Sequence, residues 1–584
     1  MSSPFQYSPL DTTTKTIRLA VLFSGTRSDE LLVKIKAYPL SQTPPYEALS
    51  YVWGSPNDLL PLTLTSFQDI ENTRKTYLQI TTNLHTALLD LRFENRHRTL
   101  WIDALCINQS DLPERASQVT LMTQIYMQAF KTLIYLGSST QNSVKGMEFI
   151  QHIVGTIDPS LLPKRDISRP QTHSEIQDHV ITKALTQFSA FPCMLDFLTR
   201  PWWSRIWIIQ ELTVSAAASL VWGTQTLPWE FAARTVAMFD SYVQYIRDSS
   251  VFKGEKRWEV IDDATLTSQP IYQLHQQYKR KPERPLLGLL DQFWMSDSTD
   301  PRDKVYALLG LATDDLDSGL KPDYIIDSRS LYGQVVHDIW KRTQSLDILS
   351  FCTSTGIRRV EGLPTWAPDW TSGGRKVKFQ EGYYTTPFYK IVKAVPRFAK
   401  TAKSSDEDLF CASGSEGRIS DVRFSTNFTE LHLTGVIVDT ISFLSPIRDH
   451  IFNMYRLSTS FGPVAHSLEP TYLTGEEITD AFRRTICLDR FPSAPAIDDH
   501  ALLVDRKEYE AGVSLATSGR RFFITKKGFM GLSTIEAEVG DLVCLVKGVR
   551  TPAILRREGD HYLMVCESYG MFCSLFVYFR TKGD

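Results

Sequence analysis

From residue 46 to about residue 220, short apolar runs alternate with segments of helical spacing, and this alternation limits the fold more than any other feature. Tyr46 to Trp53 is a strand candidate that stops at the loop Gly54-Ser55-Pro56-Asn57-Asp58. Leu84, Ala87, Leu88 and Leu91 recur at helical spacing. Leu100 to Cys106 reads as a buried strand carrying one acid, Asp103. Val119, Met122, Ile125, Tyr126 and Ala129 mark a long amphipathic helix, and Lys131 to Leu136 is a further strand-like run ended by Gly137-Ser138-Ser139. Strand and helix in turn predict a parallel sheet covered on both faces, because parallel neighbours need a crossover. In such sheets ligands sit beyond the carboxyl ends of the strands, which is where Ser50 to Gly54 and Asp103 to Asn108 fall.

Around this α/β region of residues 46–220, three further regions are expected. Residues 1–45 hold a strand hairpin extension, Ile17 to Phe23 and Leu31 to Tyr38 around a turn at Ser24 to Asp29. Residues 221–360 are mainly helical, with clear patterns at Phe231 to Ile246, Leu331 to Thr343 and Asp300 to Leu311. Residues 361–584 are β-rich, starting from the aromatic, turn-rich Leu363 to Trp370. The runs Leu431 to Val438, Arg521 to Thr525, Asp541 to Val546 and His561 to Glu567 are its strands. Lys400 to Asp408 reads as a surface loop, and no internal repeat is visible.

Composition narrows the function classes. A net charge of −3 over 584 residues gives no general attraction to nucleic acid or anionic membrane. The eight cysteines are scattered without a C-x-x-C pair, so buried reduced thiols of an intracellular protein are expected. Met1 to Asp11 does not read as a secretory signal, and no run approaches the ~18–20 apolar residues of a membrane span. The expected location is the cytoplasm. P-loop, G-x-G-x-x-G, H-E-x-x-H and G-x-S-x-G patterns are absent, and the histidines show no metal spacing, so no metal site is expected.

The run Arg200-Pro201-Trp202-Trp203-Ser204-Arg205-Ile206-Trp207-Ile208-Ile209-Gln210-Glu211-Leu212 places three tryptophans before one acid. Pro201 suits a first helical turn, and a helix running to about Ala217 would set Trp207 and Glu211 on one face. A carboxylate among aromatics has a raised pKa, because lost hydration disfavours its charged form. Two roles are open to Glu211: a general acid or charge-stabilising carboxylate, or a structural group bonded to a backbone N–H or an arginine.

Three blocks together resemble the fungal heterokaryon incompatibility (HET) domain. They are Tyr46 to Gly54; Leu100-Trp101-Ile102-Asp103-Ala104-Leu105-Cys106-Ile107-Asn108-Gln109 with Glu114-Arg115, Gln118-Val119, Met122, Ile125-Tyr126 and Ala129; and Arg200 to Leu212. Asp300 to Leu311, Leu363 to Trp370 and Gly540 to Arg556 resemble segments that accompany this domain. The resemblance implies non-self recognition leading to programmed cell death, with an unknown incompatibility partner.

HET domains in turn resemble TIR domains, which implies a flavodoxin-like fold. Trp207-Ile208-Ile209-Gln210-Glu211-Leu212 is similar to the W-x-x-x-E-L motif of NAD-cleaving TIR domains, although Ser204 stands three residues before Trp207 where two are usual. The likeness implies an NAD glycohydrolase with Glu211 as the catalytic carboxylate, NAD as substrate and no resident cofactor. Trp53 or Trp207 would stack on a ring, Asp103 would bind ribose hydroxyls, and Arg200 and Arg205 would neutralise pyrophosphate. The bland alternatives are core packing for the tryptophans, loop ordering for Asp103, and an arginine paired with Glu211. The catalytic role requires that Glu211 open into a solvent-reachable hollow between the Trp53 and Asp103 loops. TIR-type activity also implies self-association. The alternatives are a non-catalytic HET module that signals by homotypic contacts, and an accessory protein with a degenerate domain.

Overall fold

Thr16–Leu22 (β1) is apolar and buried along almost its whole length, which marks it as an internal strand packed on both faces. It pairs antiparallel with β2 (Leu32–Pro39) on one side and with β6 (Arg98–Trp101) on the other. The computed structural model describes residues 5–11, 13–65, 76–156, 190–237, 268, 270–278, 283–314, 320–352, 360–371, 422–445, 520–549 and 551–570, with parts of 471–517. They fall into two compact units, divided between Asp327 and Ser328.

The first unit is built on a nine-stranded sheet. Beyond β6 lie β3 (Glu47–Ser50), β7 (Lys131–Tyr135), β8 (Ala218–Trp222) and β9 (Gln225–Pro228); beyond β2 lie β4 (Leu59–Leu64) and β5 (Thr76–Thr81). The neighbours β2–β4, β6–β3, β3–β7 and β7–β8 are parallel, and the rest are antiparallel. The sheet is therefore mixed, with a parallel centre, where the alternation of elements predicts a parallel one. The reason lies in the Ser24 to Asp29 turn. So short a connection joins only antiparallel strands, and the resulting hairpin inserts β1 between β2 and β6.

Local chemistry sets the helices. Thr81 caps α1 (Thr82–Leu91), its hydroxyl accepting from the Leu84 N–H at 3.4 Å. The strand expected over Leu100 to Cys106 ends at Trp101 instead. Asp103 accepts from the Ala104 N–H at 2.8 Å and opens a helical turn, α2 (Asp103–Cys106), a local bond that competes with strand pairing. Asp111 caps α3 (Leu112–Gln128), accepting from the Glu114 N–H at 3.0 Å. Arg18 of β1 reaches Glu114 of α3 through two bonds of 2.5 and 2.9 Å, and both side chains are buried. Glu114 also accepts from the Asn108 N–H at 2.7 Å, so one ion pair joins the sheet, the helix and the loop after α2. α4 (Gln141–Thr156) packs against α5 (Ala190–Leu198). The unit is completed by α6 (Trp207–Thr213), α7 (Leu286–Gln292) and α8 (Asp303–Leu309), of which α8 packs on both others.

The second unit contains α9 (Ser328–Thr343), a two-residue hairpin of β10 (Arg423–Phe424) and β11 (Leu431–His432), α10 (Ile478–Ile486) and a closed antiparallel barrel. The barrel order is β12 (Gly435–Leu444), β13 (Arg520–Thr525), β14 (Met530–Thr534), β17 (His561–Gly570), β16 (Ala553–Glu558) and β15 (Leu542–Val546), which returns to β12. Closure depends on β12 bending to serve two neighbours. Register shifts after Ile437 and Ile441 supply the bends. Ile441, Phe523, Val543, Ile554 and Cys566 fill the interior.

Residues 229–237 are helical; the rest of the helix expected to Ile246 and the loop expected at Lys400 to Asp408 lie outside the described residues. Cys106, Cys193, Cys352, Cys544 and Cys566 are buried. Among the described residues no helix is long and apolar enough to cross a membrane, and no three potential ligands cluster to hold a metal ion.

Candidate functional site

Three parallel strands, β6, β3 and β7, bring their carboxyl ends together. Ser50 is the last residue of β3, and Asp103 follows β6 by two residues. The third contribution comes from the tryptophan run, which is not one helix. A 3-10 turn at Pro201–Ser204 gives way to an extended Arg205 (φ −72°, ψ 134°) before α6 begins at Trp207. The break is held by a bridge to Asp297. The Ile206 N–H donates to the Asp297 carbonyl at 2.9 Å, and the Asp297 N–H donates to the Ser204 carbonyl.

Glu211, on α6, is only 1% exposed. Its Oε2 accepts from the Ser50 hydroxyl, and Ser50 Oγ accepts from Trp202 Nε1 at 2.8 Å. Burial pushes the Glu211 carboxyl up to about 7, against the pull of the Arg205 guanidinium and the Ser50 hydrogen bond. Asp103 is half-buried. It accepts from Trp53 Nε1 at 2.8 Å, and burial raises its pKa against the nearby Arg205. Arg205 itself donates to the Tyr51 carbonyl and makes no direct ion pair with either acid among the described residues. The Tyr51 hydroxyl, buried beside Asp103, closes no well-formed hydrogen bond. The arrangement is thus one cation acting on two acids whose protons are held more tightly than usual. It can neutralise charge or carry a proton near neutral pH.

Among the described residues the Glu211 side chain does not reach solvent, although the catalytic role requires it. Glu211 lies beneath Ser50 and Trp202, while Trp53, 38% exposed, stands at the rim over Asp103.

Residues 46–211 match the family model described as heterokaryon incompatibility protein (HET). The chain carries a HET domain. Residues 488–573 match the Het-6 beta-barrel domain, a range that covers β13 to β17 but not β12, which closes the barrel. Over 459 residues the chain is 27% identical to heterokaryon incompatibility protein 6, OR allele, of Neurospora crassa; the match covers 71% of this chain and 62% of that protein. No solved structure matches.

The HET match ends on Glu211, and the other expected site residues lie around it unequally. Asp103, Trp53 and Arg205 are brought together. Arg200 is turned away: it pairs with Asp196 at 2.8 Å and lies over the Trp222 ring at 4.8 Å. Trp207 is drawn off by Asp303, to which its Nε1 donates at 3.1 Å, so its indole is committed to a structural bond. Trp202 and Trp203 are core. They meet edge to face at 5.0 Å, and Trp203 lies 5.8 Å from Trp229. The strand-end position predicts Ser50 at the crevice, but no pattern in the sequence gives it or Trp202 a bond that leads to Glu211. Ser50 closes a strand that ends at the expected crevice, and that position was the available signal.

The HET domain is braced from behind by a segment that follows its family match. Asp303 on α8 accepts from Tyr324 at 2.8 Å as well as from Trp207, and burial raises its carboxyl to about 6. Arg115 of α3 lies over the Tyr324 ring at 3.6 Å. Gly310, just after α8, is required by close approach, since a Cβ there would stand 2.0 Å from Thr123 Oγ1 of α3. Gly310→Ala is expected to cost about 1–3 kcal/mol by overpacking, with partial recovery in Gly310→Ala/Thr123→Ala. Urea unfolding of the full chain checks this, and an unchanged midpoint for the single variant would contradict the contact.

Proposed function

We propose that this protein acts in fungal non-self recognition, in the cytoplasm, and that its HET domain delivers a death signal when an incompatible partner is met. The family match over residues 46–211 and the likeness to a Neurospora crassa incompatibility protein support this reading. For the chemistry of the signal, we propose TIR-like cleavage of NAD. The observation that carries it is a near-neutral Glu211 carboxyl at the carboxyl ends of parallel strands, beside Arg205 and Asp103.

In this reaction the bond from ribose C1′ to the nicotinamide nitrogen breaks. Its electron pair leaves with nicotinamide, which departs neutral and needs no acid. Glu211 carboxylate offsets the positive charge left on the sugar, water adds at C1′, and a proton is released. Arg205 suits the pyrophosphate, Asp103 the ribose hydroxyls, and Trp53 a ring face at the rim. Glu211 is enclosed in the resting chain, so cleavage includes an opening step, for which self-association through the HET domain supplies the free energy.

Purified full-length protein incubated with NAD, dilute and under crowding, tests the reading. Nicotinamide release is expected in the assembled state and should fall roughly 100-fold in Glu211→Gln. A folded sample that releases none in either condition refutes NAD cleavage. A second reading is favoured by the burial of Glu211 and its bond to Ser50: a non-catalytic module that signals by homotypic contact. Under that reading, toxicity on overexpression survives Glu211→Gln.

A further inference from the structure

We propose that Ser50 is a positioning residue that holds Glu211 Oε2, stabilises the ionised carboxylate and leaves Oε1 to meet a ligand. The chain of donors has one direction when Glu211 is ionised, because a carboxylate only accepts. An indole N–H can only donate, so the Trp202 Nε1 proton must go to Ser50 Oγ, at 2.8 Å. With that lone pair occupied, Ser50 directs its own hydrogen onto Glu211 Oε2. Trp202 is fully buried and held edge-on by Trp203 at 5.0 Å, so the relay starts from a fixed point. Ser50 is the terminal residue of β3, whose backbone pairs with β7, so its Cβ is fixed as well. Oε2 is therefore the acceptor in the ionised form of Glu211, where the carboxylate has no proton to give and Ser50 must donate. With Oε2 held by Ser50, Oε1 is the oxygen left to face a developing positive charge.

The charged and titratable groups around Glu211 come from each element packed on it. Arg205 lies on the extended residue before α6, Asp103 on α2, Tyr126 on α3, and Tyr51 follows β3. The Tyr126 hydroxyl donates to the Leu49 carbonyl at 3.0 Å, and its nearness to the Glu211 carboxylate favours the ionised form as Ser50 does. Arg205 favours the ionised form of Glu211, and Asp103 opposes it. Ser50 adds to Arg205, since a hydrogen bond given to a carboxylate stabilises its charge. The catalytic use of Oε1 rests on the proposed NAD cleavage; the hold of Ser50 on Oε2 does not.

The test separates the two. Infrared difference spectra of the full chain, wild type minus Glu211→Gln, isolate the protonated-carboxyl band of this one acid as pH is raised. The band is expected to disappear near neutral pH in the wild type, and about one pH unit higher in Ser50→Ala. Ser50→Thr, which keeps the hydroxyl, should restore the wild-type titration. Trp202→Phe frees the Ser50 hydroxyl to accept instead of donate, and should raise the midpoint less than Ser50→Ala does. It also serves if the alanine variant does not fold. An unchanged midpoint in both Ser50→Ala and Trp202→Phe, or a Ser50→Thr variant that behaves as alanine, overturns the proposal. Nicotinamide release measured on the same samples decides the catalytic reading separately: shifted bands without any release would discard cleavage and retain the positioning role.

Discussion

Arg18→Ala is expected to lower the stability of the first unit by about 3–5 kcal/mol, the usual cost of leaving one half of a buried ion pair alone. Arg18 and Glu114 are 3% and 9% exposed. Besides its two bonds to Glu114, Arg18 donates to the Cys106 carbonyl at 3.0 Å and the Ser8 carbonyl at 2.6 Å, and its guanidinium lies 4.7 Å from the centre of the Tyr7 ring. Alanine would strand a carboxylate away from water and release two backbone carbonyls. The Asn108 loop, which Glu114 also holds, would loosen with it. An apolar pair of similar volume, Arg18→Met with Glu114→Leu, should recover much of the loss, since it removes both charges. Urea unfolding of the full chain, followed by hydrogen exchange of the β1 amides, measures both. A loss under 1 kcal/mol in the single variant would mean that water reaches the pair.

Glu211→Gln is expected to be more stable than the wild type above neutral pH, and to lose part of the wild type's pH dependence. The sign follows from the direction of the shift. Glu211 has a folded pKa of about 7 against 4.5 for the free side chain. Below 4.5 both states are protonated, and the folded state suffers no penalty. As pH rises through 7 the folded chain must ionise a buried acid, and stability falls. A shift of this size corresponds to roughly 3 kcal/mol. Glutamine is neutral throughout and still accepts from Ser50, so its advantage should grow between pH 5 and 8. Asp103 and Asp303 have raised pKa values too, so the variant keeps some slope. Thermal unfolding of both chains across this range is the measurement. Parallel stability curves would show that Glu211 is not the titrating group.

Much of the secondary structure was readable from spacing. Leu84, Ala87, Leu88 and Leu91 are the buried stripe of α1, and Val119, Met122, Ile125 and Tyr126 belong to that of α3. The errors came where local signals compete with distant ones. Pro201 does start a helical turn, but the backbone bridge from Asp297 stops it at Arg205, and nothing near residue 205 announces a partner from residue 297. The apolar neighbours of Asp103 predict a strand, yet its side chain accepts from the Ala104 N–H and starts a turn. Arg200 and Arg205 look alike in the run. Asp196, four residues before Arg200 on the preceding helix, captures one, while the kink directs the other to Tyr51.

The amino-acid order alone determined an α/β domain with a crevice at its strand ends, a β-rich region after it, and the resemblance carried by three blocks around Trp53, Asp103 and Glu211. Those properties rest on periodicity and short-range chemistry, which act over a few residues and are written locally. Tertiary structure alone decided that β1 enters the sheet, that β12 closes a barrel with strands more than seventy residues away, and that Glu211 lies sealed beneath Ser50 and Trp202. Burial and the proton affinity that follows from it depend on what the rest of the chain places around a side chain, and that is a property of packing, not of neighbours in sequence.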